Sequence, residues 1–534
     1  MSVLTPYRPE ARPGNDGFGQ LLHAEWTKLR TVRGWVIGIV AGALLIVGLG
    51  ALTGANSQCS IALSTPQHPN PVNTACPAPP TGPGGQWVTD SFYFVRRPLA
   101  GNGSITARIT SLTGLYSTHG GISAGADPLA GMTHGVQPWS KAGLIIKAST
   151  ARGSAYAAMM VTGTHGVRMQ WNFTHDVAGL TGTVSAAAPR WLRLTRSGDV
   201  IRGYDSADGR LWTLVGTATL ASLPATVPSG LFAATPGYTA ISQSLGSTTA
   251  TGGPALATAA FSRLSTRGAW PASPWTGHAI QGATDNALPP SAQGFTQSGR
   301  QFRVSGSGDI APDVGDAAGG QTGSLAGLFA GLIAMVVVGV MFITAEYRRG
   351  LIRTTFTASP RRGRVLAAKA IVLGAVTFAV SLAAIAITIP VAGHLLRENG
   401  NPIFPLPAVA LIRVEAGTAA LLAVAAVLAL AVGTLFRRSA AAVTVVIAGV
   451  VLPYLLAVLS GVLPLGVEDW LVRVTPAAAF AIQQTSPAYP QVVASYAPGT
   501  GYFPLAPWAG FAVLCGWTAV ALAVAAYLLG RRDA

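Results

Sequence analysis

Apolar positions follow two rhythms along this chain. Six runs are long and nearly unbroken, at 35–53, 325–344, 366–391, 414–435, 440–463 and 508–530. About 20 helical residues cross a bilayer core, so each run predicts a membrane-spanning helix. Between 55 and 322 the rhythm shortens. The segments SITARIT, AGLIIKAS, AYAAMMVTG, GVRMQWNF, RWLRLTRSG, VIRGYDS and LWTLVG alternate apolar with polar and are punctuated by glycine. That period of two, with turns at SGD and ADG, predicts an all-β sandwich.

The boundaries follow. Residues 1–34 form a polar tail ending in an amphipathic helix, and 35–53 the first transmembrane helix. Residues 54–86 form a stalk containing PQHPNPVNTACPAPPTGPGG, and 87–240 the sandwich. The Gly/Ala/Thr/Ser-rich stretch 241–322 reads as a linker of long loops, with QFRVSGSGDIAP as a possible closing strand. Residues 323–534 form a five-helix membrane domain with a basic loop at 345–369. The first run is expected to stay in place rather than be cleaved as a leader. An amphipathic segment precedes it, and no clear small-residue cleavage site follows. Gly34, Gly38, Gly42, Gly48 and Gly50 would let neighbouring helices approach it closely.

Composition agrees with a membrane protein. Charged residues make up 10% of the 534 and hydrophobic ones 50%, with mean hydropathy +0.45. An ordinary soluble chain carries about 25% charged residues, so a conventional soluble enzyme is excluded. The net charge of +16 invites a nucleic-acid reading until it is located. Sixteen of the 35 Lys and Arg lie in 1–34, 345–369, 437–438 and 531–532, beside the apolar runs. The positive-inside rule places such clusters on the cytoplasmic side. No basic-aromatic binding module is visible, so no nucleic-acid partner is expected. The expected fold is therefore an α-helical polytopic membrane protein with six transmembrane helices and both termini cytoplasmic. Its all-β sandwich is inserted as an ectodomain.

Candidate chemistry in the inserted domain is sparse. No glutamate stands between Glu25 and Glu346, so the paired carboxylates of glycoside hydrolysis would have to be aspartates. Asp199, Asp205 and Asp208 read as hairpin-turn residues in SGDVIRGYDSADG. His134, His165 and His175 match no short zinc spacing. Trp139, Tyr156, Trp171, Trp191 and Trp212 serve either as core or as stacking platforms for a sugar. Asn172-Phe173-Thr174 fits a glycosylation sequon. Cys59 and Cys76, in the exported stalk, either pair as a disulfide or remain two thiols. Cys515 lies in the last apolar run. No catalytic or metal-ligating set emerges, and no phosphate-binding Gly-x-x-x-x-Gly-Lys-Ser/Thr loop is present. The chain is expected to bind no cofactor itself.

Two polar segments beside the apolar runs carry more pattern. FGQLLHAEWTKLRTVRG puts Phe18, Leu22, Trp26 and Leu29 on one helical face, with Lys28, Arg30 and Arg33 off it. It is either an interfacial helix or a plain anchor flank. AEYRRGLIRTTFTASPRRGRVLAAK, 345–369, is either a topology signal or a docking hairpin, with Ser359 able to cap a helix started by Pro360. Residues 467–484 predict a short outer helix with Trp470 at interface depth. Arg413 and Glu415 are either functional ionisable groups at membrane depth or, counting about 20 residues back from Leu435, snorkelling anchors at headgroup level.

HAEWTKLRTVR, AEYRRGLIRTTFTASPRRGRVLAAKAIV, GTLFRRSAAAV and VTPAAAFAIQQT, in that order, resemble the permease subunits of type-2 ABC transporters, particularly an actinobacterial exporter-like branch. The resemblance covers 1–54 and 323–534. It implies ATP hydrolysis by a separate ABC ATPase subunit, and pairing of permeases as a homodimer or heterodimer. It assigns ATPase coupling to Glu346, Tyr347, Arg348, Arg349, Gly350, Arg353 and Thr354. Interfacial contact falls to Glu25, Trp26, Lys28 and Arg30. The first outer loop departs from that family, and the insert resembles a concanavalin-A-like, laminin-G-like jelly roll. Such domains often bind glycans, which makes an extracellular glycan or envelope ligand a second expected partner beside the lipid bilayer. A different reading is a membrane-anchored receptor or glycan sensor whose helices only anchor and signal. The hairpin at 345–369 separates the two, since an anchor does not require it.

Overall fold

The computed structural model describes residues 17–65, 68–118, 127–244, 247–282, 287–314, 325, 327–358, 361–458, 463, 465–494 and 496–531. Its helices are α1 (Phe18–Thr31), α2 (Arg33–Asn56), α3 (Leu328–Arg348), α4 (Leu351–Ala358), α5 (Arg362–Glu398), α6 (Ala408–Phe436), α7 (Ser439–Val458), α8 (Leu465–Val474) and α9 (Pro507–Arg531). Six of them, α2, α3, α5, α6, α7 and α9, are long and apolar enough to cross a membrane. Each contains or largely overlaps one of the predicted runs. Most are longer than the run, because helix formation continues into polar flanks that hydropathy excludes. α5, for example, extends from Arg362 to Glu398.

α6 is the most enclosed of the six, and α2 and α9 are the least. The alanine-rich sequence of α6 explains its position, since small side chains let backbones approach where packing drives association. Gly339 of α3 sits against the Ala426 carbonyl of α6, and Gly433 of α6 lies against Val340 of α3. On the other side, Gly331 of α3 leaves room for Ile46 of α2. Leu332, Val336, Leu421, Ala425, Leu428 and Phe480 continue this core.

The segment between α2 and α3 folds as two antiparallel sheets over one apolar core. The first orders strands His175–Ala178, Val167–Trp171, Tyr156–Thr162, Lys141–Lys147, Thr226–Ala234, Phe92–Ala100 and Thr276–Ile280. The second orders Thr213–Thr219, Val200–Ser206, Arg190–Ser197, Gly103–Tyr116, Ala255–Gly268, Gln301–Gly306 and Gly294–Ser298, with Thr133–His134 beside Gly103–Tyr116. Val95, Leu144, Met159 and Leu231 of the first sheet meet Ile105, Ile109, Leu192, Leu194 and Ile201 of the second. The first sheet is also covered on its outer face. Val88, Phe173 and Ile310 pack there on Phe92, Phe94, Tyr156 and Phe232.

One expected segment needs correction. The stretch 241–322 is not a linker, since it supplies Ala255–Gly268, an interior strand of the second sheet between Gly103–Tyr116 and Gln301–Gly306, and also the strands Ser247–Gly253, Thr276–Ile280, Gly294–Ser298, Gln301–Gly306 and Ile310–Pro312. Ala255, Leu256, Ala257, Ala259, Phe261 and Leu264 are the buried positions of Ala255–Gly268, and a start buried on both faces, with alanine at half of these positions, gives no clear period of two. The stalk contains the hairpin Ser60–Thr65 and His68–Ala75. Cys59 and Cys76 close it as a disulfide, with Cα atoms 5.6 Å apart.

The hairpin rests on the turn between α5 and α6. Cys59 N–H donates to Asn399 O at 3.1 Å, and Cys76 N–H to Gly400 O at 3.2 Å. Asn399 and Asn401 in turn donate to carbonyls at the end of α2. Gly400 has φ 77°, and a Cβ there would meet the Cys59 carbonyl at 2.6 Å. Trp87 meets Phe404 edge-on at 5.1 Å, Gln491 donates to Phe173 O at 3.4 Å, and Tyr502 donates to Val314 O at 3.3 Å. These contacts join the β domain to one end of the helix bundle.

Candidate functional site

The opposite end of the bundle holds the densest polar cluster among the described helices. α1 lies across α5, placing Leu29 in a core with Trp35, Phe342, Ile352, Val365 and Leu366. Its carboxylate Glu25 is 2% exposed and faces the same way. α3 contributes Glu346, 4% exposed, in its last turn, and α5 contributes Lys369, fully buried. Lys369 Nζ donates to Glu25 Oε2 at 2.6 Å and to Glu346 Oε1 at 2.7 Å. Lys28 Nζ reaches the same two carboxylates at 2.8 Å and 3.1 Å. Phe342 closes the site, its ring 4.7 Å from the Lys369 ammonium.

Two anions and two cations balance in charge, and balance is what lets them be buried at all. Removing charges from water costs several kcal/mol per ion unless partners replace the lost solvation. Breaking one pair therefore strands its neighbours. The cluster ties α1, the end of α3 and the start of α5 into a unit whose members cannot separate independently. Burial lowers the Lys28 pKa, but the hydrogen bonds and charges of Glu25 and Glu346 outweigh it, and the net shift is upward.

Around this cluster the surface is basic. α3 ends at Gly350, whose φ of 69° is left-handed and stops the helix. α4 begins one residue later. Arg348, Arg349, Gly350 and Thr354 are exposed, while Ile352 anchors α4 to the bundle. Thr354 Oγ1 donates to Leu351 O at 2.8 Å. Tyr347 is half-buried beneath Arg437, whose guanidinium lies 5.2 Å from its ring. Arg362 donates to Leu529 O at 2.7 Å, tying α5 to α9. Arg361 and Arg438 add exposed charge. Arg353 belongs to α4 by its backbone, its side chain lying outside the described residues, as do Ser359 and Pro360 entirely.

The residues named from sequence divide into two groups. Arg348, Arg349, Gly350 and Thr354 share one exposed surface, and Trp26 and Arg30 are exposed on α1. Glu25 and Glu346 do not lie on that surface, because Lys369 draws both inward. Lys369, the last residue of the basic loop 345–369, is not among the residues named from sequence. Its signal was present, since it falls inside the apolar run 366–391, and an ionisable residue at membrane depth marks a functional position.

Other candidates resolve differently. Arg413 does not reach outward but donates to the Gln484 carbonyl. α8 carries an exposed Trp470, and the 3-10 helix after it, Pro476–Gln483, is buried. Asp199 accepts the Ser222 and Leu223 N–H groups, and Asp208 those of Arg210 and Leu211. Asp205 is not in a turn. It is buried in its strand and accepts the Leu180 N–H at 2.7 Å, and burial raises its pKa against the opposing pull of that bond. His165 stacks on Trp139 and His175 on Trp171. Asn172 and Phe173 both have positive φ, and Phe173 is fully buried where the domain meets Gln491. The sequon thus lies in a packed corner rather than on a free loop.

Six membrane-length helices with a basic, ion-paired end and a β domain at the other end define a multi-pass membrane protein with a large appended domain. Residues 199–534 match the family model described as ABC-2 family transporter protein. The chain belongs to that family, and is thus a permease of an ABC transporter. Such permeases are typically non-catalytic and work with an ABC ATPase carried on a separate subunit. No curated protein matches the chain. Among solved structures it is similar to a functionally unknown protein from Saccharomyces cerevisiae, at 15% identity over 36% of this chain and 82% of that one, with a TM-score of 0.21. It is also similar to scytalido-glutamic peptidase with a transition state analog inhibitor, at 10% identity over 42% and 100%, with a TM-score of 0.25. Likenesses of that size say nothing about chemistry.

Proposed function

We propose that this permease is half of an exporter, driven by an ATPase that docks on α4 and the exposed end of α3. In this reading the basic end of the bundle and both termini are cytoplasmic, as the positive-inside rule requires. The β domain is then an outer accessory module, and a second permease, identical or not, completes the pathway. The chain binds no nucleotide itself, and ATP enters through the partner.

One observation carries this reading. Lys369 joins both Glu25 of α1 and Glu346 of α3 from its own place on α5. A force on α4 reaches the end of α3 through the short turn at Gly350, and this cluster passes it to two further helices. A helix bundle serving only as an anchor needs no such linkage. Arg348 and Arg349 supply exposed charge for a partner surface, and Leu351, 48% exposed, supplies apolar area. The spans are nearly free of exposed charge, so an amphiphilic or apolar cargo fits better than an ion.

The test is co-purification from native membranes. Wild-type chain should carry an ATPase with it, and R348E/R349E should lose it while keeping its melting temperature. A cysteine introduced by T354C should be labelled from the cytoplasmic side only. ATPase retained by the charge-reversed variant, or labelling from outside, contradicts the reading.

A further inference from the structure

The outer face of the second sheet carries an uncompensated field of arginines. Leu192, Leu194, Ile105, Ile109, Ile201 and Phe302 point into the core, so strand alternation turns their neighbours outward. Arg202, Arg193, Arg108, Arg267 and Arg303 are those neighbours or share their register on successive strands. Across the whole sheet the described strands contain a single carboxylate, Asp205, and it is buried facing inward. None of these arginines has a carboxylate partner among the described residues. Burial and the charge of Arg267 both pull the Arg193 pKa down, as crowding of like charges requires.

One side of the face is shaped. Ser262 to Ser265 forms a bulge in the strand Ala255–Gly268, and Arg263 within it adopts φ 52°. An arginine in the left-handed region is strained, and bulges re-aim side chains. Here the guanidinium swings over the Trp191 ring at 5.9 Å. Arg263, Arg108 and Arg300 line a cleft of about 650 Å³ together with Ser262, Ser298 and Gln301. Beside it Arg193 stacks on Trp212 at 3.8 Å.

We propose that this face binds an acidic polysaccharide, with one phosphate group of the chain held in the Arg108–Arg263–Arg300 cleft. Guanidinium forks match phosphate oxygens in pairs, and serine and glutamine donors fill the remaining directions. From Arg202 to Arg303 the field crosses four inter-strand spacings, about 19 Å at about 4.8 Å each. A single small anion occupies a fraction of that width, whereas a polymer with repeated acid groups spans it. Trp191 and Trp212 lie under the guanidiniums of Arg263 and Arg193 and hold them on this face. The bilayer is a poorer fit, since Trp87, Phe173 and Val314, which meet the helix bundle, all belong to segments on the first-sheet side.

Choice of a sugar polymer over a nucleic acid rests on the outward placement proposed above. The test uses the full chain in nanodiscs of zwitterionic lipid, titrated with dextran phosphate, neutral dextran of equal length and oligothymidylate. Dextran phosphate should bind, weakening steeply with salt as several counterions are released. R108A/R263A/R300A should weaken it about tenfold or more and flatten the salt slope. R108K/R263K/R300K, which keeps the charge and loses the forks, should weaken it less and keep the slope. Neutral dextran should not bind, and oligothymidylate should bind less tightly than dextran phosphate. Absence of dextran phosphate binding, equal binding by the alanine variant, or preference for oligothymidylate overturns the proposal. ATPase co-purification is read on the same preparation. Lost polymer binding with the ATPase retained removes only this inference, and the converse removes only the exporter reading.

Discussion

Lys369 on α5 and Glu25 on α1 are 344 positions apart in sequence and 2.6 Å apart in space. Neither is exposed, and each depends on the other for its charge to be tolerated. K369M should therefore be strongly destabilising, by about 3–5 kcal/mol, because it leaves two carboxylates buried with only Lys28 to share. The triple variant E25Q/K369M/E346Q should recover most of that loss. Thermal unfolding in detergent, run as a mutant cycle, measures both, and simple additivity would show that the three groups do not act together.

Two lysines should respond to pH with opposite signs. Lys28 has a raised pKa, so its stabilisation is complete below the ordinary value of 10.5 and is lost as pH climbs through the folded value above it. Lys147, fully buried and 2.7 Å from Asp90, has a lowered pKa, because burial outweighs that carboxylate. There the unfolded chain holds the proton longer, and stability rises as pH climbs through the folded value toward 10.5. Comparing K28M and K147M with the wild type on the alkaline limb should remove a fall in the first and a rise in the second.

Reduction should act on one end of the molecule only. The Cys59–Cys76 bond closes a short loop, worth about 3 kcal/mol of unfolded-chain entropy. Dithiothreitol, or C59S/C76S, should expose the hairpin 60–75 to proteases. The α1–α5 contact, followed by hydrogen exchange of the α1 amides, should be unchanged.

Close helix approach gives a fourth expectation. G339A places a methyl against the Ala426 carbonyl, which is backbone and cannot step aside. α3 and α6 must separate, at about 1–3 kcal/mol. G363A meets open space and should leave the melting temperature level or slightly higher.

The membrane helices were legible because continuous apolar runs need no partner to be recognised. Long-range pairing was not. Lys369, Glu25 and Glu346 look like three unrelated charges until the fold brings α1, α3 and α5 together. Strand Ala255–Gly268 is hard to read for another reason: its first three residues are all buried, and register shifts after Ala260 and Ser262 break the period of two, so only its neighbours reveal which face is buried. The arginine field is not marked in the sequence either, because the outward register of Arg108, Arg193 and Arg202, the bulge at Arg263 and the inward turn of Asp205 exist only once the strands are paired.

The most direct test of the proposed coupling is ATP hydrolysis by the partner ATPase, reconstituted in liposomes with this chain. Wild-type chain should stimulate hydrolysis, and R348E/R349E should reduce that stimulation about tenfold or more, the scale expected when charge pairing across an interface is reversed. Its melting temperature should stay as in the wild type. Equal hydrolysis with either chain would contradict the account, leaving the basic end of the bundle without a role in drive.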